Sequence, residues 1–404
     1  MTQTLPVAIV GSGPAGLMAA TSAVKAGATN VTIFEKRPAP GRKLLIAGSS
    51  GLNVAYEAPL AEALTHYMPA AGALTDALTA FPPQEWLRFI TAELKLEVFC
   101  GTSRRWFVKE MKAASLLKAW RQWLEDRGVK FRCGSELAGI RQEAASPLTL
   151  IFADGSEVLC RAAVLALGGG SWEDAGEPRW PALLQGLGVT FIPFRSSNCG
   201  LHVAPWPETL VKEADREPLK DVVLTTPRGS KQGDLLITAY GLEGTPLYWV
   251  GEPGPATLDL LPQWSPEKVR ARLAETTENL SPLRRARKLL PLTPGTEALL
   301  FHLTPPEKRQ DLDTLCSNLK ALPLTLTQRR PLSEAISSAG GVPFSEVGSD
   351  LQLHKIPGVY LAGEMLDWDA PTGGLLIQGC VALGHRAGQA STSKIFDAWR
   401  RNRV

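Results

Sequence analysis

The sequence predicts an α/β protein whose parallel sheet is assembled from both ends of the chain around an inserted region. Near the start, a strand, a glycine-rich turn, a helix and a second strand follow one another. Near the other end, a short apolar strand ends in a glycine and an acid, and a long helix follows. Between these segments proline becomes frequent and short β-like runs replace the alternation of strands and helices. We therefore expect a discontinuous domain of residues 1–189 and 336–404, with an insertion of residues 190–335.

The first element is a buried strand, residues 7–10, that leads into Gly11-Ser-Gly-Pro-Ala-Gly16. Gly11 permits a tight turn, Gly13 lets the backbone approach a pyrophosphate, and Gly16 allows the helix to pack closely on the strand. A helix predicted over residues 14–26 would direct free N–H groups and the positive end of its dipole at the phosphates. The pattern indicates a dinucleotide site.

An acid completes this pattern. The second strand, residues 31–34, is followed by Glu35, a position from which a carboxylate can accept hydrogen bonds from a ribose. An ordinary glycine-rich turn between a strand and a helix is the alternative. Strand, helix, second strand and acid together favour dinucleotide binding over that alternative.

The remaining elements of the first 189 residues continue the alternation. Helical spacing predicts helices over residues 76–94 and 109–126, and a strand is expected over residues 128–132. A hairpin is expected over residues 148–160, with an apolar strand over residues 162–167. In the insertion we predict a helical piece at about residues 265–320 and strands over residues 190–194, 222–225, 235–238, 247–250, 257–260 and 324–327.

Composition excludes several classes of protein. Of the 404 residues, 44% are hydrophobic and 21% are charged, as in ordinary globular proteins. No apolar run approaches the roughly 20 residues that a membrane helix needs, and the N-terminus lacks a basic signal region. The six cysteines form no C-x-x-C pair, which argues against a metal site and against a redox dithiol. We expect a cytoplasmic protein with no membrane association.

The late element favours FAD over a nicotinamide dinucleotide alone. The predicted strand before Gly363 and Glu364 would join the N-terminal sheet, and Gly373 and Gly374 open the long last helix. FAD lies extended across such a sheet, and the N-terminus of a far helix can stabilise negative charge on the reduced ring. An NAD-dependent dehydrogenase would not need this second element.

These segments resemble the BaiN/YhiN-like bacterial flavoproteins, a family of NAD(P)/FAD-dependent oxidoreductases, and the chain looks like a divergent branch of it. The resemblance covers nearly the whole chain and rests on residues 11–16, 41–45, 233–242, 338–342, 358–367 and 369–374. It implies a Rossmann-type FAD-binding domain interrupted by a β-barrel-like piece and a small helical piece.

The resemblance also implies the residues that hold FAD. Gly11, Gly13, Ala15 and Gly16 would surround the pyrophosphate, and Glu35 would bind the adenosine ribose. The ADP half would lie near Lys36, Arg42 and Lys43, and its adenine end near Leu137 and Gly168. The ribityl–phosphate segment would be approached by Gly363 and Glu364, and the flavin would lie over Gly373, Gly374 and Leu375. Asn53 is expected in the same FAD site.

The sequence alone identifies no catalytic residue. The family has an arginine and a cysteine where this chain has Gly51 and Leu52, so any role of those two side chains cannot be carried over. No acid–base pair or nucleophile constellation stands out. Six further side chains could take part in proton transfer or substrate binding, although each is more often structural: Cys199, His202, Tyr240, Asp367, Asp369 and His385.

Three functions are compatible with this sequence. The leading hypothesis is an FAD-dependent oxidoreductase that is reduced by NADH or NADPH and passes hydride to an unidentified small molecule. The second is a reductase acting on an RNA base, suggested by basic clusters at residues 284–288, 328–330 and 400–403. The third is a non-catalytic flavin-binding sensor or structural protein. The oligomeric state is left open.

Overall fold

In the computed structural model of the chain, the structure describes residues 4–48, 51–69, 72–142, 147–172, 178–275 and 280–401, excluding the side chains of residues 395–401. The strands are β1 Leu5–Val10, β2 Thr32–Glu35, β3 Asn53–Tyr56, β4 Val98–Cys100, β5 Arg105–Val108, β6 Lys130–Cys133, β7 Leu137–Arg141, β8 Leu148–Phe152, β9 Glu157–Leu165, β10 Ile192–Ser197, β11 Leu201–Ala204, β12 Pro218–Thr226, β13 Gly229–Thr238, β14 Gly241–Gly244, β15 Gly254–Asp259, β16 Leu322–Arg329, β17 Ser337–Gly341 and β18 Val359–Leu361.

The helices vary in length from single turns to the long C-terminal element. They are α1 Pro14–Lys25, α2 Arg42–Ala47, α3 Leu60–Leu64, α4 Gly72–Ala80, α5 Pro83–Arg88, α6 Ala113–Glu125, α7 Trp180–Gly186, α8 Glu208–Ala214, α9 Thr245–Val250, α10 Pro266–Ala274, α11 Pro282–Leu289, α12 Pro294–Leu303, α13 Leu312–Ala321 and α14 Leu375–Arg401. Among the described helices, none combines the length and the apolar character required to cross a bilayer.

The chain divides into two compact units, one of residues 1–195 and 337–404 and one of residues 196–336. The first unit contains a seven-stranded sheet in the order β6-β2-β1-β9-β8-β7, with β18 also paired to β9. Strands β6, β2, β1, β9 and β18 run parallel, whereas β8 and β7 form an antiparallel extension. Because β18 comes from the C-terminal segment, the prediction that both ends of the chain build one sheet is confirmed.

The second unit, residues 196–336, overlaps the insertion expected over residues 190–335. Strands β11-β14-β13-β12-β15-β16 close into an antiparallel barrel, and helices α10 to α13 accompany it. Leucines and valines from strands and helices share one buried core, with fully buried Leu219, Leu258 and Leu299 among its members. A barrel leaves no open strand edges, so this unit can exist as an insertion without an exposed sheet edge.

Helices α1 and α14 pack at unusually short range in the first unit. A Cβ placed at Gly384 would lie 2.2 Å from the carbonyl oxygen of Ala15, and one at Gly388 would lie 2.2 Å from that of Ala19. Only glycine fits such contacts, because real Cβ atoms stay more than 3 Å from backbone oxygen. This pair of glycines, one turn apart, fixes the position of α1 and therefore of the turn that precedes it.

Several predicted elements differ from the structure. Residues 247–250 form helix α9 rather than a strand, because Pro246 occupies its first turn and a four-residue apolar run does not distinguish strand from helix. The helix predicted over residues 76–94 is interrupted at Pro82 and Pro83, since proline offers no N–H for the helical hydrogen bond. The helix predicted from residue 109 begins only at Ala113.

Candidate functional site

Each glycine of the first turn has a different environment. Gly11 has φ +105°, and a Cβ there would lie 2.1 Å from the carbonyl oxygen of Ala166 in the strand end beside it. A Cβ at Gly16 would lie 1.9 Å from the carbonyl oxygen of Gly11. At Gly13, no atom of the described residues lies within 4 Å of that position. Gly11 and Gly16 are thus required by packing, whereas Gly13 opens space in front of the N-terminus of α1.

Glu35 is fixed against this turn. The Ser12 N–H donates to Glu35 Oε2 at 3.1 Å, and the Arg37 N–H donates to Oε1 at 2.9 Å. The Ser12 hydroxyl also donates to the carboxylate, and the Gly41 N–H donates to that hydroxyl at 3.1 Å. The carboxylate is therefore held at the end of β2 by three donors from Ser12 and Arg37.

A cleft runs along the carboxyl ends of the parallel strands, next to the glycine turn. Positive side chains dominate it, since Lys36, Arg37 and Arg179 line it together with Arg42 and Lys43 of α2. A charged phosphate would be attracted to such a surface. The structure brings these predicted residues together in the cleft: Gly11, Gly13, Glu35, Lys36, Arg42, Lys43, Leu137 and Gly168.

Sequence reasoning missed part of the cleft. Trp172 and Arg179 also line it, although they lie more than 130 residues from the glycine turn. Trp172 has φ +53°, and Arg179 immediately precedes α7. Gly168 was predicted four residues before Trp172, but no pattern singled out the side chain of Trp172 or Arg179, and residues 173–177 between them lie outside the described part of the chain. Ser12 and Arg37 were not predicted either, although the residues next to them, Gly11, Gly13 and Lys36, were.

Apart from Ala15 and Gly16 of α1, the remaining predicted residues lie around the start of α14. Lys43 Nζ donates to the carbonyl oxygen of Gly169 at 2.8 Å, and a Cβ at Gly169 would lie 3.4 Å from the Cβ of Glu364. Gly363 has φ +81°, and a Cβ there would lie 2.8 Å from the Cβ of Ala15. Gly169, the first turn of α1 and residues 363–364 therefore lie in contact, just ahead of the strand–helix junction where α14 begins.

Gly373 and Gly374 form that junction. Their φ values are +114° and +110°, and a Cβ at Gly374 would lie 2.4 Å from the carbonyl carbon of Ala55 in β3. Leu375 begins α14, and its carbonyl oxygen accepts a 2.8 Å hydrogen bond from the hydroxyl of buried Tyr67. The N-terminus of α14 is thus anchored against β3.

Two predicted side chains here carry unusual electrostatics. Burial raises the pKa of the Glu364 carboxyl, an effect that Lys43 opposes and Asp369 reinforces. Asn53, at the start of β3, has a buried Oδ1 with no hydrogen-bond partner among the described residues. A buried amide oxygen without a partner suits a ligand that supplies one. Open space at Gly13, a cationic cleft and this unpaired oxygen fit a large phosphate-bearing dinucleotide.

The other candidates occupy structural positions or the second unit. The Gly340 N–H donates to Asp367 at 3.1 Å, and the Ala370 N–H donates to Asp369 at 2.9 Å. In the barrel, His202 Nε2 lies 3.1 Å from a guanidinium nitrogen of Arg330, which also stacks on Tyr240 with 4.2 Å between Cζ and the ring centroid. Burial raises the pKa of Tyr240, and its hydroxyl donates to Glu243. Cys199 is buried.

The parallel sheet, the glycine turn and the cationic cleft define a Rossmann-type dinucleotide-binding protein. The chain belongs to the HI0933-like family, because the family model described as HI0933-like protein Rossmann domain matches residues 5–390. This membership agrees with the resemblance found in the sequence, and the chain is an FAD-dependent oxidoreductase.

Two curated relatives match almost end to end. The chain is 26% identical to a 3-dehydro-bile acid delta(4,6)-reductase of Clostridium scindens, over 96% of this chain and 99% of that protein. It is 25% identical to a ribosomal RNA dihydrouridine synthase of Escherichia coli K12, over 92% of this chain and 94% of that protein. The first relative acts on a small molecule and the second on RNA.

Solved structures share the fold. A 3-ketosteroid delta1-dehydrogenase from Sterolibacterium denitrificans aligns with a TM-score of 0.55 at 13% identity, covering 97% of this chain and 100% of that one. A flavocytochrome c3 fumarate reductase aligns with a TM-score of 0.51 at 15% identity, covering 98% and 79%. At such identities the likeness shows the common architecture alone.

Proposed function

We propose that the chain binds FAD in the cleft described above, accepts electrons from NADH or NADPH, and reduces an oxidised or unsaturated small molecule in the cytoplasm. The observation that carries the proposal is the open space at Gly13, in front of the N-terminus of α1 and beside a cationic cleft. Bound FAD supplies the two-electron redox chemistry. The residues of this chain bind the cofactor, orient it and balance its charge.

The proposed roles follow the order of the cleft. Glu35 accepts hydrogen bonds from the adenosine ribose, and Leu137 lies on the wall at this end. The first turn of α1, with Ala15 and Gly16, supplies N–H groups to the pyrophosphate, and the cations of the cleft reinforce the attraction. Gly168 provides a close backbone approach, with φ +78°.

Beyond Gly168 the proposed path follows the strand–helix junction. Gly363 and Glu364 lie along the ribityl segment, where the buried carboxyl of Glu364, whose pKa burial raises, is a hydrogen-bonding group for it. Gly373, Gly374 and Leu375 would lie under the ring system. The start of α14 directs the positive end of a helix dipole there, which stabilises negative charge on a reduced ring.

Replacing Gly13 by alanine is expected to weaken FAD binding strongly without unfolding the protein. The backbone at Gly13 has φ −73°, which alanine adopts freely, and no described atom lies within 4 Å of the new Cβ. The methyl group would instead fill the space proposed for the pyrophosphate. We expect FAD affinity to fall about 100-fold, the equivalent of one or two charge-assisted hydrogen bonds, with an unchanged urea midpoint. Fluorescence titration and urea unfolding measure the two quantities.

A matched control is Gly186→Ala in α7, a second glycine with no described neighbour within 4 Å of its Cβ. This variant should bind FAD like the parent chain. Equal FAD affinity in Gly13→Ala and the parent would place the pyrophosphate elsewhere and reject the assignment.

The electron donor is tested separately by the visible spectrum of the purified protein under anaerobic conditions. Oxidised flavin absorbs near 450 nm as a general property of the cofactor, and bleaching by NADH or by NADPH would identify the donor. Retained flavin that neither nucleotide reduces would reject the proposed donor while leaving the cofactor assignment intact. Turnover with enone or dienone compounds then addresses the acceptor.

RNA is a second candidate substrate, and one surface of the barrel unit favours it. A groove between α11 and the turn after α12 is lined by Arg284, Lys308 and Arg309, and no acidic side chain lines it among the described residues. Phe301 is 40% exposed in this groove, and the Arg309 guanidinium lies 4.1 Å from its ring centroid. Cations beside an exposed aromatic ring suit an unpaired RNA base and its phosphates. The Escherichia coli relative, named for ribosomal RNA, supports the same candidate.

Replacing Arg284 and Lys308 together by alanine would test this surface. If the groove contacts two phosphates, the slope of log affinity against log salt should decrease by about 2 for a ribosomal RNA hairpin, measured by fluorescence anisotropy. Lys118→Ala with Arg121→Ala, two exposed cations of α6 in the other unit, serves as the control. RNA binding that is absent, or equally salt-dependent in both double variants, would remove this candidate.

A further inference from the structure

We infer that the side-chain amide of Gln378 is a hydrogen-bonding group for the ring system of the bound flavin. The inference rests on the FAD site proposed above and extends it to a residue that the sequence did not indicate. Gln378 is fully buried in the first turns of α14. Neither its Oε1 nor its Nε2 has a hydrogen-bond partner among the described residues.

A buried side-chain amide without hydrogen-bond partners is unusual in a folded protein. A buried carboxamide without partners loses its hydrogen bonds to water and gains none in return, so it destabilises the protein that carries it. An apolar side chain of similar length would pack in the same volume without that penalty. A polar side chain in this position is therefore best explained by a partner that arrives from outside the chain.

Its position indicates which partner. The Gln378 N–H donates to the carbonyl oxygen of Gly374 at 3.0 Å, so the residue lies one turn after the glycine junction proposed to lie under the flavin. Gly374 contacts Ala55 of β3, and β3 begins at Asn53, whose buried Oδ1 also has no described partner. The unpaired amide of Gln378 on α14 and the unpaired Oδ1 of Asn53 on β3 are thus carried by two elements in direct contact.

The chemistry of a carboxamide matches this ligand. The amide of Gln378 offers two N–H donors and one acceptor, and Asn53 offers a further acceptor. The pyrimidine edge of an isoalloxazine presents an N–H group between two carbonyl oxygens. Donor and acceptor can therefore both be satisfied by one ligand edge, which neither a phosphate nor an aliphatic chain could do. The ADP half is not expected to contact this turn, because its proposed site is the cationic cleft.

The decisive experiment compares FAD with ADP as titrants of the flavin-depleted protein and its Gln378→Met variant. We expect FAD affinity to fall about tenfold, the usual effect of one lost hydrogen bond to a ligand, and ADP affinity to stay within about twofold. The midpoint of thermal unfolding without flavin should rise, because an unsatisfied polar group has been removed. The absorption band of bound FAD should also shift, which a purely structural residue would not cause.

Two variants serve as controls. Tyr360→Phe removes a different buried polar group without a described partner, the hydroxyl of a tyrosine on β18. Gln389→Met changes an exposed glutamine of α14, the helix that carries Gln378. Both should leave FAD affinity unchanged. If the methionine variant fails to fold, Gln378→Leu repeats the measurement with a branched apolar side chain.

Each outcome has one meaning. Unchanged FAD affinity in Gln378→Met, with a more stable flavin-free protein, would overturn the inference and leave Gln378 as an unpaired core residue. Equal losses of FAD and ADP affinity would also overturn it, because the effect would then not concern the ring. Failure of the parent chain to bind FAD would instead reject the proposed function itself.

Discussion

Replacing Gly388 by alanine is expected to destabilise the protein strongly, because the added methyl group would enter the close contact between α1 and α14. The new Cβ would lie 2.2 Å from the carbonyl oxygen of Ala19, and the partner atom is backbone, which cannot rotate away as a side chain can. Helices α1 and α14 would have to separate by about 1 Å to restore an ordinary contact. Gly384 imposes the same limit against Ala15 one turn earlier, so the helices cannot tilt to relieve it.

The expected cost follows from overpacking. Extra methyl groups in a closely packed core cost about 1–3 kcal/mol, and a backbone contact lies at the upper end of that range. The gain in helix propensity from glycine to alanine, about 1 kcal/mol, opposes it only in part. We expect a net loss of about 2 kcal/mol for Gly388→Ala and more for the double variant with Gly384→Ala, measured as the free energy of unfolding in urea.

The separation of the helices also has a functional consequence. Helix α1 begins at Pro14, directly after the space proposed for the pyrophosphate, so its displacement should weaken FAD binding as well. Gly186→Ala again serves as the control, because the helix-propensity gain there meets no steric cost. A Gly388→Ala variant as stable as the parent would show that the two helices adjust freely and that their spacing does not determine the site.

The end of the cleft at the glycine turn could be predicted because its determinants are local in sequence. Gly11, Gly13, Gly16 and Glu35 lie within one strand–helix–strand unit, and their spacing alone specifies a turn with free space at one position. The late strand was predictable for the same reason. An apolar run that ends in Gly363 indicates a buried strand followed by a positive φ.

The rest of the site depends on contacts that no periodicity encodes. Arg179 enters the cleft from the start of α7, and Gln378 is distinguished only by the absence of described partners in three dimensions. The small sheet of β3, β5 and β4 was not predicted either, because these strands are only three or four residues long. That sheet supplies Asn53 and Ala55, which meet α14. Long-range packing, rather than local pattern, therefore sets the proposed ring end of the site.

The interface of α1 and α14 also contains a group that makes stability depend on pH. His385 follows Gly384, its Nδ1 lies 2.8 Å from the hydroxyl oxygen of Ser22 in α1, and its ring stacks on Phe81 with 4.4 Å between centroids. Burial lowers the pKa of His385 to about 4, and the positive charge of Lys25 adds to the effect, while Glu85 opposes it. The neutral imidazole is therefore the form that the folded protein requires.

The sign of the pH dependence follows from this lowered pKa. Above pH 6.5 the histidine is neutral in both the folded and the unfolded chain, and its contribution to stability is fully present. As the pH falls below 6.5, the unfolded chain binds a proton that the folded chain does not, and stability is lost until the folded pKa of about 4 is reached. Between pH 7 and pH 5 this difference amounts to about 2 kcal/mol.

His385→Gln should remove that dependence, because glutamine fills similar space and does not titrate. The variant will be less stable than the parent at pH 7, owing to the lost ring stacking, but its free energy of unfolding should change by about 2 kcal/mol less between pH 7 and pH 5. Urea unfolding at the two pH values measures this, with exposed His354→Gln as the control. Parallel pH profiles of His385→Gln and the parent would show that His385 is protonated without cost in the folded protein. A shallower pH profile of the His385→Gln variant would establish that acid acts at the helix pair whose spacing Gly384 and Gly388 set. Flavin release at low pH should then parallel the loss of stability in the parent chain and should be weaker in the variant.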